Sequence, residues 1–167
     1  RNNNRDETNS VPEWFNSSAL NELKKITFDK KVFLYIPWCD NNLLNLIEKI
    51  KDENNFLVQQ FDFAHDIMKN DVRRKITTFA KSMPDVYRRI IVSTLSKLQN
   101  NISGFIFDND ISPATRLIAN VCEELDIPRI LIPSLRVGFN KDRYYLDGES
   151  QSSLPIADVV LGLNNTQ

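Results

Sequence analysis

Glycine is scarce in this chain. It has four among 167 residues, Gly104, Gly138, Gly148 and Gly162, and none before Gly104. No two lie close enough for a G-x-G-x-x-G turn or a Walker-type phosphate loop. Cysteine and histidine are scarcer still: Cys39, Cys122 and His65 are the whole supply. Two distant thiols and one imidazole exclude a four-ligand zinc site of the C-x-x-C type. A lone Cys39 after Tyr35-Ile36-Pro37-Trp38 cannot hold an iron–sulfur cluster, which needs grouped thiolates. A charge relay would have only His65, which sits among Phe61, Phe63 and Met68 and suits a packed, hydrogen-bonded role. No metal and no cofactor is expected. Charge of one sign is also missing, with 21 Lys+Arg against 22 Asp+Glu and a net charge of -1. That balance argues against broad nucleic-acid binding through phosphate neutralisation. No apolar run approaches the roughly 18 residues of a membrane span.

What remains is the composition of an ordinary globular protein, 41% hydrophobic and 26% charged. A chain of this length can bury one real core. Arg1 stands where a Met would begin a gene product, which suggests a trimmed chain or one domain of a larger protein. The polar stretch after it is no signal peptide. With two unpaired thiols, the expected location is cytoplasmic. Three Asn-x-Ser/Thr triplets, at Asn16, Asn101 and Asn164, are expected by chance in so Asn-rich a chain.

Periodicity sets the expected elements. Residues 1–12 read as a flexible segment and 13–167 as a single domain. Trp14, Phe15, Leu20, Leu23 and Ile26 suggest a first amphipathic helix. The nearly continuous apolar run at 31–37 suits a strand buried on both faces. Residues 55–61 read as a second strand, 104–107 as a buried strand, 129–133 as the next, and 158–161 as a last short one. Between them, Leu43, Leu44, Ile47 and Ile50 form one helical stripe, with Asp40 or Asn41 as its cap. Met68, Val72, Ile76 and Phe79 form a second, ending before Pro84. Val86, Ile90, Ile91, Leu95 and Leu98 form a third. Ala114, Leu117, Ile118, Val121, Cys122 and Leu125 form the cleanest, after Ser112 as N-cap and Pro113 at the first helical position. Strands alternating with helices predict a three-layer α/β/α sandwich, with a mainly parallel, Rossmann-like sheet of about five strands.

Ligands of such sheets bind beyond the carboxyl ends of the strands. Three segments reach that edge: Pro37-Trp38-Cys39-Asp40, Asp108-Asn109-Asp110, and Pro133-Ser134-Leu135-Arg136. The second runs into a helix whose free N–H groups favour an anion, with Ser112, Thr115 and Arg116 in or near its first turn. Asp108 or Asp110 would serve as base for a hydroxyl. The same residues have a plain structural use, the aspartates capping the helix and Arg116 pairing with one of them. Arg136, Lys141, Arg143, Tyr144 and Tyr145 make a basic, aromatic loop. It suits phosphate or sugar contacts, or serves as a solvated loop pinned by its tyrosines.

Four stretches carry a family resemblance: Asp108-Asn109-Asp110-Ile111-Ser112-Pro113-Ala114-Thr115-Arg116, Asp126 to Pro133, Asp142-Arg143-Tyr144-Tyr145, and Pro155 to Leu161. Together they resemble the amino-terminal lobe of GT-B-type glycosyltransferases of the polysaccharide- and capsule-building kind, over about a third of the chain. Two departures stand out. Ser134 and Leu135 occupy places where the family usually has His and an acidic residue. The lobe that binds the nucleotide sugar is not among these residues. The resemblance implies an acceptor-side lobe, a nucleotide sugar or a saccharide or phosphate ligand as partner, and a missing C-terminal lobe. A second, weaker resemblance is to nucleoside 2-deoxyribosyltransferases, through Tyr35-Ile36-Pro37-Trp38 and the order of the 108–133 unit. Their catalytic glutamate would fall at Ile118, so this resemblance implies the fold without that nucleophile.

Overall fold

The computed structural model describes residues 31–36, 41–54, 57–61, 69–108, 112–132 and 157–161. The expected first helix and the segment before it lie outside them. Of the two cap candidates for the 41–54 helix, Asp40 lies outside as well and Asn41 is its first helical residue. Five strands are present: β1 (Val32–Tyr35), β2 (Leu57–Gln60), β3 (Ile102–Phe107), β4 (Arg129–Leu131) and β5 (Val159–Val160). Four helices accompany them: α1 (Asn41–Asn54), α2 (Lys69–Ser82), α3 (Pro84–Leu95) and α4 (Pro113–Glu124). Most ladders are shorter than the apolar runs that announce them. β3 instead starts earlier, at Ile102 rather than Gly104.

The sheet is wholly parallel, in the order β2-β1-β3-β4-β5. The fold is an α/β Rossmann-like sandwich. From β1 the chain steps outward through α1 to β2. From β2 it returns across β1 through α2 and α3 to β3, and from β3 it steps on through α4 to β4. Right-handed crossovers put α1 on one face and α2, α3 and α4 on the other. The latter three pack on one another.

The core lies on both faces of the sheet, with Leu43 and Ile47 of α1 on one side and its larger part under α2, α3 and α4. Phe105 and Phe107 alternate along β3 and stack at 4.9 Å. Phe61, just past β2, meets Phe105 edge-on at 5.4 Å. Ile76, Ile91, Leu95, Ile118 and Cys122 close over them, all fully buried. Among the described residues, Leu43 and Ile47 of α1, Ile76 and Phe79 of α2, Val86, Ile91 and Leu95 of α3, and Ala114, Ile118, Val121 and Cys122 of α4 are buried, as their spacing predicts. On the α1 face, Gly104 leaves room for its neighbours. A Cβ there would lie 3.2 Å from Ile130 Cδ1 and 3.3 Å from the Phe33 ring, side chains of the two flanking strands. A bulge next to it, between Val32 and Phe33 in the β1–β3 ladder, leaves Ser103 as the extra residue.

Two devices fasten the β4 end of the sheet. The first ends α4. Asp126 takes φ 53°, the left-handed region. The Ile127 amide donates to Cys122 O at 2.8 Å and the Asp126 amide to Glu123 O at 3.2 Å. This is a Schellman cap with aspartate where glycine is usual. The second joins β5 to β4. Arg129 donates to Asp158 through Nε at 3.1 Å and Nη2 at 2.8 Å, and its backbone N–H donates to Oδ2 at 2.7 Å. Glu123 of α4 pairs with Nη1 at 3.0 Å. These hydrogen bonds from Arg129, side chain first and backbone second, hold the Asp158 carboxyl down at about 2.

Two measurements check these devices. At position 126, denaturant unfolding should rank Gly at or above Asp, with Val lower by roughly 1–2 kcal/mol, because a β-branched side chain fits worst at positive φ. Equal stability of all three would remove the strained-cap account. For the clasp, the carboxyl is lowered on folding, so its contribution is complete above the ordinary aspartate value of 3.8 and fades as pH falls through about 2. Asp158→Asn should cost about 1 kcal/mol or less at neutral pH, since the carboxylate is half exposed. The same variant should flatten the acid limb of the stability curve between those two values.

Candidate functional site

The strand order locates the crevice. Connections leave β1 toward one edge and β3 toward the other, so the order reverses between these two neighbours. Open α/β sheets bind ligands at this switch point, beyond the carboxyl ends of the strands. β1 ends at Tyr35 and Ile36, and the Ile36 amide still reaches Ile106 O at 3.4 Å. β3 ends at Phe107, and Asp108 follows. The Asp108 and Ser112 Cα atoms are four residues apart, a span of at most about 14 Å.

Three polar residues are buried among those described: Thr94, Asp108 and Thr115. Each has a different explanation. Thr94 is structural, its hydroxyl donating to Ile90 O at 2.9 Å within α3. Asp108 is 5% exposed at the mouth of the sheet and is engaged by its surroundings. Thr115 is fully buried, and its Oγ1 has no hydrogen-bond partner. A hydroxyl in that state costs roughly 1–3 kcal/mol, so it calls for an explanation.

Thr115 belongs to the first turn of α4. Ser112 occupies the N-cap position with extended backbone, φ -62° and ψ 131°, and Pro113 takes the first helical position as expected. The capping itself differs from the expectation. The Ser112 hydroxyl makes no hydrogen bond to the turn it precedes. It lies 3.4 Å from Thr77 Oγ1 on α2 instead. The packing of α2 against α4 draws the side chain away from the helix axis. Pro113 has no N–H, and the Arg116 amide already donates to Ser112 O at 2.9 Å. The Ala114 and Thr115 amides are left without an intrahelical acceptor, at the positive end of a 12-residue helix.

Of the residues expected at the site, four are placed. Asp108, Ser112, Thr115 and Arg116 fall on the β3–α4 connection and the first turn of α4, with Arg116 half-buried. Trp38, Asp40, Asn109, Asp110, Ser134, Arg136, Lys141, Arg143 and Tyr144 lie outside the described residues. Thr77 was not expected; it is half-buried on α2, and nothing in its local sequence marks it. Tyr87 is the other addition. Its ring is fully buried against Phe79, its hydroxyl reaches Ala114 O at 3.4 Å, and burial pushes its ionisation well up. It braces the same turn from α3. Among the described residues no three His, Cys, Asp or Glu side chains group as metal ligands. Among them, too, no helix is long and apolar enough to cross a membrane.

Chemically, the turn offers amide donors to an anion, and Asp108 offers acceptor oxygens to hydroxyl groups. No protein-family model, curated protein or solved structure matches the chain.

Cys122 takes no part in this. It is sealed under the sheet, and burial pushes its thiol up to about 12. Iodoacetamide at neutral pH should leave Cys122 unmodified in the folded chain and label it after denaturation, as peptide mass mapping would show. Rapid labelling of the native thiol would mean that the α4–sheet contact opens far more than the packing allows.

Proposed function

We propose that this chain is a glycosyltransferase-related domain, the acceptor-side lobe of a GT-B-type enzyme. It binds a sugar or phosphate-bearing ligand at the C-terminal edge of its sheet. The observation that carries the reading is the switch point between β1 and β3, where a buried aspartate and a helix start without a side-chain cap lie four residues apart in the chain. An acceptor has hydroxyls for the first and, if phosphorylated, an anion for the second. The sequence resemblance over the same stretch supports the chemical class.

In this reading Asp108 or Asp110 accepts the proton of the acceptor hydroxyl. The hydroxyl oxygen bonds to the anomeric carbon of the donor as the bond from that carbon to the phosphate oxygen breaks and the nucleoside diphosphate leaves. Arg116 and Arg143 hold negative charge, and Trp38 and Asp40 take part in binding the ligand. Ile118 stands where a deoxyribosyltransferase would need its nucleophilic carboxylate. The competing reading is therefore a binding module of that general shape, without catalysis.

Calorimetric titration with a panel of nucleotide sugars and sugar phosphates tests the proposal. At least one should bind saturably, and Asp110→Ala and Arg116→Ala should each weaken it about tenfold or more. Absence of binding across the panel, or two variants that bind like the parent, would sink the site. Binding without glycosyl transfer to any offered acceptor, when the chain is supplied with its C-terminal lobe, would favour the binding module.

A further inference from the structure

We infer that the outer face of α2 and α3 binds the phosphate backbone of a nucleic-acid duplex, without reading its sequence. This surface is separate from the crevice and does not depend on its ligand.

The net charge of -1 hides a segregation. Residues 69–97, which make α2, α3 and the turn after them, hold eight Lys+Arg and two Asp+Glu. The other 138 residues hold 13 against 20. This helical unit is therefore +6 in a chain whose remainder is -7. The balance of the whole chain argues against phosphate neutralisation, but its distribution supplies a place for it.

Exposure orders that charge into stripes. On α2, Arg74, Thr78 and Lys81 are exposed at i, i+4 and i+7. On α3 and the turn after it, Arg89, Ser93 and Lys97 are exposed at i, i+4 and i+8. Such spacing puts each trio on one side of its helix. Only Met83 separates the two helices, which pack on each other and on the same face of the sheet. Among the described residues, Lys81, Arg89 and Lys97 make no ion pair. Asp85 is the one exposed acid of the two helices among those residues. Glu124 of α4, which meets α3, is already paired with Arg88. A merely solvated face mixes its signs. α1 does so with Glu48 beside Lys49, and α4 with Arg116, Glu123 and Glu124. The α2–α3 face does not.

What the face lacks selects the partner. A protein interface is anchored by large aromatic or aliphatic side chains. A basic helix on a membrane adds apolar side chains that enter the lipid. Among the described residues the exposed large hydrophobics are Val159, Val160 and Leu161, at and just after β5. A phosphate backbone needs no such anchor. It is held by Lys, Arg and hydroxyl groups, the residue types of these stripes. Binding a single strand relies on aromatic rings that stack on its bases, so a duplex fits this face better.

Fluorescence anisotropy of a labelled DNA duplex of about 20 base pairs, titrated with the whole chain, tests the inference. Binding should be saturable at about 50 mM salt. Affinity should fall about a hundredfold by about 200 mM, as the neutralisation of roughly four phosphates requires. Lys81→Glu with Arg89→Glu should weaken binding about tenfold or more. Lys31→Glu with Lys49→Glu makes the same change in net charge on exposed residues outside the face. It should weaken binding by less than about threefold. Absence of duplex binding at the lower salt, or an equal loss in the two paired variants, would overturn the inference. So would tighter binding to a single strand, to phosphatidylserine–phosphatidylcholine vesicles, or to polyglutamate. The last two results would give the face to a membrane or to an acidic protein.

Discussion

A strand in the middle of a parallel sheet is hydrogen-bonded along both edges and covered on both faces, so its side chains find no polar surroundings until it ends. β3 is that strand. Its pairings with β1 and β4 set the register of the sheet's centre, and its alternating Phe105 and Phe107 carry the packing of three helices. The first acidic side chain it can afford is Asp108, one residue past the ladder. The candidate site begins where the core's demand for apolar residues stops.

Much of this is legible in the residues. Short runs rich in apolar residues mark the five strands, although β2 carries Gln59 and Gln60, and stripes at helical spacing mark buried residues of α1 to α4, since burial on two sides and on one side leave different patterns. The pairing order is not legible that way: β1 lying between β2 and β3 depends on the crossovers, to which periodicity is blind. Long-range side-chain contacts are equally silent. Ser112 has every local feature of a cap, yet Thr77 on another helix takes its hydroxyl. Asp126 ends α4 in a conformation that glycine usually supplies, in a chain with few glycines to spend. The Thr115 hydroxyl is conspicuous only once its surroundings are known to hold no partner.

The Arg129–Asp158 clasp changes the weight of the family resemblance. Both residues belong to the stretches that carry it, one opening the fourth strand and one just before the fifth. Here they hold β5 to β4, at the amino ends of the strands and away from the crevice. Those two positions therefore speak for the fold. Within the described residues, the resemblance speaks for chemistry only along the β3–α4 connection and the first turn of α4.

β5 closes one side of the sheet with two residues, and Val159, Val160 and Leu161 are all exposed there. An apolar strand at a sheet edge would ordinarily invite another chain to pair with it. Brevity is the safeguard, because a visitor would find a ladder too short to form cooperatively. A charged clasp suits so short a strand. It anchors the last rung through side chains, and the edge needs no longer run of backbone that would serve as a template for aggregation.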